Sequence, residues 1–374
     1  MKIFVDGYLL NREYQGTRTY ITELYKALSV LDKSIKITYG IDDLTDELKN
    51  EFRDFPTIGF YVFKEKNKWK RMFTEYAELS RNYDYMHFQY IIPFRKANQK
   101  CKYINTIHDV LFLDFKKDFP FFYRLSRRIL FGWSAKKCDL LLTVSEYSKK
   151  RISTHFNLNL EDIYTTPNGV NEKFLKNYNK SQVQKIIEDK YKIKKYILYV
   201  SRIEPRKNQL QLLKLFVNTK KVNQEYQLVF VGKKSLEADE FSTYFNSLDH
   251  SIKNKIKYFE QIDNEFLVDI YKAADFFVYP SLCEGFGIPP LEAGAAEIPV
   301  LCNNATALSD FGMFKTYLID FNTEKLSSIF EEFVMNNQSD LKSIKSEISK
   351  KYTWEASAVE LHSLLHRSSI FKIY

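Results

Sequence analysis

YPSLCEGFGIPPLEAGAA, residues 279–296, follows directly on the apolar run DFFVYP and leads into a helical pattern, so it reads as a turn from a buried strand into a helix. CEGFG leaves the carboxyl end of the strand, and Pro289 and Pro290 suit the first turn of a helix, where a missing amide proton costs nothing. Gly285 and Gly287 let the backbone come close to a ligand. The unpaired amides of the helix N-terminus then face an anion such as a diphosphate. Glu284 on the loop and Glu292 in the helix offer carboxylates, which accept hydrogen bonds from sugar or ribose hydroxyls. A plain turn with a glutamate favourably placed at a helix N-terminus would explain Glu292 alone. It does not explain the whole stretch.

Outward from this junction, both halves of the chain alternate short apolar runs with amphipathic helical stretches, the pattern of parallel α/β layers. In the first half KIFVD, YMHF, YINTIHD and LLLTVS read as buried strands, and residues 17–28 put Tyr20, Ile21, Leu24, Tyr25 and Leu28 on one helical face. The second half gives YILYVSR, a helix near 207–220, then QLVFVG, IKYF, DFFVYP and IPVLC. TPNGVNEKFLKNYNKSQ (166–182), polar and turn-rich, is the expected linker. Two doubly wound domains facing a cleft would bind ligand at the carboxyl ends of their sheets.

A second strand end, VSRIEPRKN (200–208), carries Arg202 and Lys207. A diphosphate leaving group gains negative charge as its bond to a sugar breaks, and fixed cations can stabilise that charge. Arg supplies a planar fork and Lys a point charge. A solvated basic loop would look the same in isolation. The chain contains no D-x-D at a strand end, the usual mark of a divalent ion in sugar transfer, so neither a metal nor another cofactor is expected. GKKS at 232–235 fails as a phosphate loop because Gln227 stands where glycine is needed, and GFGIPP fails as a dinucleotide fingerprint at Pro290.

Composition narrows the class. The 374 residues suffice for two domains of about 150–200 residues each. With 45% hydrophobic and 28% charged residues, the chain is globular rather than disordered. No run approaches the ~18 apolar residues of a membrane span, and MKIFVDGYLL, with Asp6 inside it, is wrong for a signal peptide. The four cysteines form neither a C-x-x-C pair nor a cluster with histidine, which fits a reducing cytoplasm. A net charge of +9 points to an anionic partner: nucleotide, membrane surface or nucleic acid.

Together these pieces resemble the family-4 retaining glycosyltransferases of the GT-B fold, bacterial mannosyltransferase-like. EGFGIPPLE resembles their E-x(7)-E motif and SRIEPRKN their G-R-x-x-P-x-K-N segment. NREYQGTRTYITEL is similar to the N-terminal glycine loop and helix, TIHDVLFLDFKKDFP to the H-D segment, and LLLTVSEYSK with TPNGV to the V-S-x-x-S and P-N-G-V pair. The resemblance implies an N-terminal acceptor domain (1–172 plus a C-terminal helix at about 355–374) and a C-terminal donor domain (173–354), both Rossmann-like. It implies that Glu284 binds the donor sugar where catalysis occurs, with His108 near the anomeric centre. Glu292 would hold the ribose, Arg202 and Lys207 the diphosphate. Phe286 and Gly287 would present backbone amides, and Gly16 would let the N-terminal loop approach the phosphates. Ser201, Glu297 and the segment LSDFG depart from the family pattern.

The implied reaction is retaining and metal-independent. The diphosphate departs, and the acceptor hydroxyl attacks the same face while giving its proton to a phosphate oxygen. The resemblance favours mannose from GDP-mannose, passed to a saccharide or lipid-linked saccharide in surface polysaccharide or lipopolysaccharide biosynthesis. MHFQY (86–90), with His87 and Tyr90, is a candidate acceptor wall. Basic and aromatic residues mix over 116–137 and around Trp69, as in segments that lie on an anionic membrane, and a helix burying an aromatic stripe is the other reading. The expected location is the cytoplasm, peripheral on the inner face of the cell membrane. A glycoside hydrolase using Glu284 and Glu292 would leave Arg202, Lys207 and the glycines without a purpose. A basic nucleic-acid-binding protein would need a helix-turn-helix, zinc or RNP-type motif, and none occurs, so no nucleic acid is expected as a partner.

Overall fold

A computed structural model describes residues 1–12, 16–234 and 239–370, which form two compact units: 1–169 with the C-terminal helix from Trp354, and 170–353. The first unit is built on a fully parallel sheet of β1 (Lys2–Asp6), β2 (Lys36–Ile41), β3 (Ile58–Val62), β4 (Tyr85–Gln89), β5 (Lys102–Thr106), β6 (Leu140–Thr143) and β7 (Ile163–Thr165). Their order is β3-β2-β1-β4-β5-β6-β7. The direction of winding reverses between β1 and β4, which opens a crevice beyond their carboxyl ends. YINTIHD is shorter as a strand than it reads: β5 stops at Thr106, leaving Ile107, His108 and Asp109 beyond the sheet. β2, β3 and β7 escape the hydrophobic pattern because Lys36, Thr38, Gly40 and Gly59 interrupt the first two and the third spans only three residues.

Helix Gly16–Leu31 buries the face formed by Tyr20, Ile21, Leu24, Tyr25 and Leu28, as its spacing requires. The helix Trp354–Ile370 returns to this unit and packs beside it. Tyr20 meets Trp354 edge-on at 6.3 Å, His362 Nε2 lies 3.0 Å from Asp32 Oδ2, the Tyr85 hydroxyl donates to the Leu365 carbonyl at 2.7 Å, and Ser357 Oγ donates to the Pro167 carbonyl at 2.6 Å. Residues 371–374 of the expected helix lie outside the described residues.

The second unit repeats the plan. β8 (Tyr196–Val200), β9 (Gln227–Val231), β10 (Ile256–Phe259), β11 (Phe276–Tyr279), β12 (Val300–Asn303) and β13 (Leu318–Ile319) form a parallel sheet in the order β10-β9-β8-β11-β12-β13, with its reversal between β8 and β11. β8 and β11 carry fully buried Ile197, Leu198, Tyr199, Phe277 and Val278, the near-continuous apolar runs that a sheet covered on both faces demands. Each such side chain contributes about 1.5–3 kcal/mol of burial. The expected linker is partly helical. Asn171 and Asn179 accept bonds from the amides of Lys173 and Gln182 and cap helices Glu172–Leu175 and Lys180–Tyr191. Asparagines that read as turn residues act here as N-caps.

Candidate active site

In the second unit the chemistry collects at the β8/β11 reversal. Pro205–Lys207 forms a short 3-10 turn that swings the Lys207 side chain inward. Its ammonium donates to Glu284 Oε1 at 2.6 Å, and the Tyr279 hydroxyl donates to the same oxygen at 2.7 Å. Both charged residues are more than nine-tenths buried. Burial would raise the Glu284 carboxyl, but the Lys207 charge and bonds from Lys207, Tyr279 and Ser281 outweigh it and hold the pKa below the usual glutamate value. The sequence thus reads correctly that Lys207 and Glu284 sit at strand ends. Only the structure makes them a pair.

Behind the glycine loop, the Glu284 amide donates to Thr306 Oγ1 at 2.9 Å. Phe286 packs its ring edge-on against Phe311 and Tyr352, so its side chain anchors the loop, consistent with a role for its backbone. Gly287 opens helix Ile288–Ala295 at φ +100°, and a Cβ there would lie 2.4 Å from Leu308 Cδ2. Leu308 and Phe311 belong to LSDFG, so this departure from the family pattern supplies the packing under the loop. Glu297, another departure, adopts φ +56° and is tied to Lys345 at 2.9 Å.

Glu292 does not join the Lys207–Glu284 pair. It is half-buried beside the Tyr271 hydroxyl; burial lifts its carboxyl to about 7, and Tyr271 opposes that only in part. Tyr271, Phe277, Tyr279 and Tyr199 stack in sequence at 5.5–5.9 Å, so one aromatic row underlies both glutamates. Arg202 is exposed just past β8. Arg206, which the sequence reading passed over, binds the two loops together: its Nη1 donates to the Cys283 carbonyl at 3.1 Å, and its own carbonyl accepts from the Leu282 amide at 2.9 Å. Tyr279, Ser281 and Thr306 were missed too. Their only signal is proximity to a strand end or loop.

In the first unit, Gly16 opens the helix Gly16–Leu31, with open space where a Cβ would lie. Residues 13–15 of the expected glycine loop lie outside the described residues. Thr17 meets the Tyr90 side chain. Tyr90 follows β4 in the left-handed region, φ +68°, a strained conformation for a bulky residue. Its amide donates to the Thr106 carbonyl at 2.9 Å and its ring stacks on Phe131 at 5.1 Å. His108 lies 5.4 Å from the Tyr90 ring and donates from Nε2 to Gln89 Oε1 at 2.8 Å. Gly16, Tyr90 and His108 are therefore neighbours. His87 is not part of an acceptor surface: it is fully buried, with Nδ1 2.8 Å from the Tyr25 hydroxyl and Nε2 2.7 Å from Thr106 Oγ1. The correction follows from strand alternation and two-sided coverage, which put β4 side chains inside whatever their polarity. Desolvation lowers both His87 and His108 to about 3, so both rings are neutral.

Two Rossmann-like units with charged and glycine-rich strand ends define the GT-B fold. Solved structures agree on the fold: HepE of Anabaena in complex with UDP superposes with a TM-score of 0.72 at 14% identity, covering 98% of this chain and 99% of that one. WaaG, a glycosyltransferase involved in lipopolysaccharide biosynthesis, superposes at 0.64 with 16% identity over the full length of both chains. The family pattern described as Glycosyltransferase Family 4 matches residues 14–174, and that described as Glycosyl transferases group 1 matches 180–350. The chain belongs to this glycosyltransferase family. Among curated proteins it is similar to O-antigen chain mannosyltransferase B of Escherichia coli, 31% identical over 181 residues, 47% of this chain and 46% of that protein. It is also similar to O-antigen chain mannosyltransferase RfbU of Salmonella typhimurium, 31% identical over 206 residues, 53% of this chain and 51% of that protein. The matches thus span about half the length of these relatives.

Proposed function

We propose that the protein is a retaining, metal-independent glycosyltransferase that moves a hexose, mannose in the first instance, from a nucleotide-diphosphate sugar to a saccharide or lipid-linked saccharide acceptor in surface polysaccharide biosynthesis. One observation carries the reading: a buried lysine and an ionised glutamate, paired at 2.6 Å, sit at the reversal point of a doubly wound sheet beside a glycine that opens a helix. Lys207 supplies fixed positive charge to a departing diphosphate, and the amides at the start of helix Ile288–Ala295 add theirs. Glu284, kept ionised by Lys207 and Tyr279, orients the sugar and stabilises its positive character as the anomeric bond breaks. The acceptor hydroxyl attacks from the side the diphosphate leaves and passes its proton to a phosphate oxygen. Glu292 holds the ribose, Arg202 reaches the diphosphate, and His108 meets a sugar hydroxyl. The likeness to mannosyltransferases supports the donor sugar.

A panel of nucleotide sugars screened by thermal shift identifies the donor, because ligand bound to the native state raises Tm. Glu284→Gln should lower kcat roughly hundredfold or more while nucleotide affinity stays near wild type. Near-normal turnover removes Glu284 from the mechanism.

We further propose that an anionic membrane is where the acceptor is met. Helix Phe121–Lys137 exposes Phe121 (60%), Phe122 (81%) and Ile129 (62%) among Arg124, Arg127 and Arg128, and helix Lys68–Phe73 exposes Trp69. Phe94 stacks on Phe73 of one helix and packs on Trp133 of the other, at 4.8 and 4.9 Å. Among the described residues no helix is long and apolar enough to cross a membrane. Phosphatidylglycerol vesicles should sediment the protein and pure phosphatidylcholine vesicles should not. Phe122→Ser with Ile129→Ser should weaken binding about tenfold or more. Absence of binding to the anionic vesicles overturns the membrane reading.

A further inference from the structure

The core under His108 carries a continuous polar chain where an apolar core would pack as well. His87, Gln89 and Thr106 are 0%, 5% and 0% exposed. His87 and Gln89 are two residues apart on β4 and so share a face of the sheet. The Gln89 amide spans two imidazoles: its Nε2 lies 3.3 Å from His87 Nε2, and its Oε1 lies 2.8 Å from His108 Nε2. Tyr25 closes the chain at His87 Nδ1, 2.8 Å away, while Thr106 links His87 to Tyr20 and Thr166 at 2.7, 3.4 and 2.6 Å in turn.

An amide has one accepting end and one donating end. Its oxygen can only accept, so His108 carries its proton on Nε2. Its nitrogen can only donate, so His87 Nε2 holds a lone pair and the proton sits on Nδ1, donated to the Tyr25 oxygen. The Thr106 hydroxyl donates into the same His87 nitrogen. One glutamine thus forces two neutral histidines into opposite tautomers, and neither ring can change without the other.

We propose that Gln89 is a positioning residue, which through its bridge to His87 locks His108 in the Nε2–H tautomer and leaves Nδ1 as a hydrogen-bond acceptor for a hydroxyl of the donor sugar. The sugar contact rests on the glycosyltransferase reading above; the tautomer lock does not. His87, misread as an acceptor contact, is the fixed end of this device. It sets which way the amide points.

The six histidines make the lock measurable directly. In protein carrying 15N-histidine, assigned by single substitutions, long-range 1H–15N correlation should show His108 protonated at Nε2 and His87 at Nδ1 at pH 7. The same tautomer in both rings, or the reverse pairing, overturns the proposal. Gln89→Leu should lower kcat roughly tenfold, the worth of one lost hydrogen bond in the transition state, with donor KM within about twofold. Gln89→Glu, which still accepts from His108, should restore most of that rate. If Gln89→Leu lowers Tm and leaves kcat unchanged, Gln89 only fills the core and the proposal fails. If no nucleotide sugar is turned over at all, the glycosyltransferase reading fails, while the tautomer measurement on the wild-type chain still decides the role of Gln89.

Discussion

Glu284 and Glu292 share a motif and a residue type, yet their surroundings drive them apart. Glu284 meets an ammonium and a phenol hydroxyl and stays ionised. Glu292 lies beside Tyr271, and burial lifts it to about 7. A carboxyl raised in the folded state binds protons that the unfolded chain releases between pH ~4.5 and ~7. Folding is therefore weakened progressively as pH rises through that window, and the penalty is complete above it. Glu292→Gln removes the penalty: it should gain about 3 kcal/mol over wild type at pH 8 and almost nothing at pH 4.5, read from urea midpoints. An equal gain at both pH values would show that Glu292 is not lifted. The same substitution should weaken nucleotide binding, because a ribose hydroxyl loses its acceptor. The sequence puts one glutamate on a loop and the other in a helix, but nothing in the letters shows that Lys207, 77 positions away, closes on Glu284.

Three glycines at element ends predict different outcomes. Gly232 follows β9 at φ +143°, and a Cβ there would lie 2.1 Å from the Ser201 carbonyl oxygen, which is backbone and cannot step aside. Gly287 at φ +100° faces the end of the Leu308 side chain, which has some freedom to move. Gly16 has open space. Gly232→Ala should cost about 3 kcal/mol, combining left-handed strain with a backbone clash, and should shift the loop that carries Arg202. Gly16→Ala should leave Tm within a degree or so yet reduce turnover, because the proposed approach of phosphate to that helix start is obstructed without any loss of packing. A fall in Tm as large as that of Gly232→Ala would assign Gly16 to the fold instead. The sequence marks Gly16 and Gly287 as candidates for close approach, and it notes Gly232 only in a segment that fails as a phosphate loop. Which neighbour each approaches, backbone, side chain or nothing, belongs to the packing.

Across the whole molecule, the two units differ in their response to acid. His87 and His108, both in the first unit, are buried neutral with pKa values lowered to about 3. Between pH ~6.5 and ~3 the unfolded chain takes up protons that these rings refuse, so the first unit loses stability as pH falls. Glu292 acts in the opposite sense in the second. Trp69, Trp133 and Trp354 all lie in the first unit, so tryptophan fluorescence reports it selectively. Lowering pH from 7.5 to 5.5 should reduce the fluorescence-detected unfolding free energy by about 3 kcal/mol. It should also pull that transition ahead of the one followed by circular dichroism. A fluorescence midpoint that does not move would contradict the burial of the two histidines.

Apolar periodicity determined the parallel α/β architecture, and the spacing of glycine, proline and charge at two strand ends determined which loops carry chemistry. Both signals are local, because a buried strand or a tight turn restricts the residue types at its own positions. The interrupted strands β2 and β3 and the capped helices that begin inside 166–182 were less legible, since polar and glycine residues there serve local geometry and mask the pattern. Long-range pairing was decided only in three dimensions. The sheet's winding order brings Lys207 to Glu284, Arg206 to Cys283, and Gln89 between His87 and His108. A side chain's charge and hydrogen-bonding role depend on what is packed against it, and chain topology chooses that neighbour.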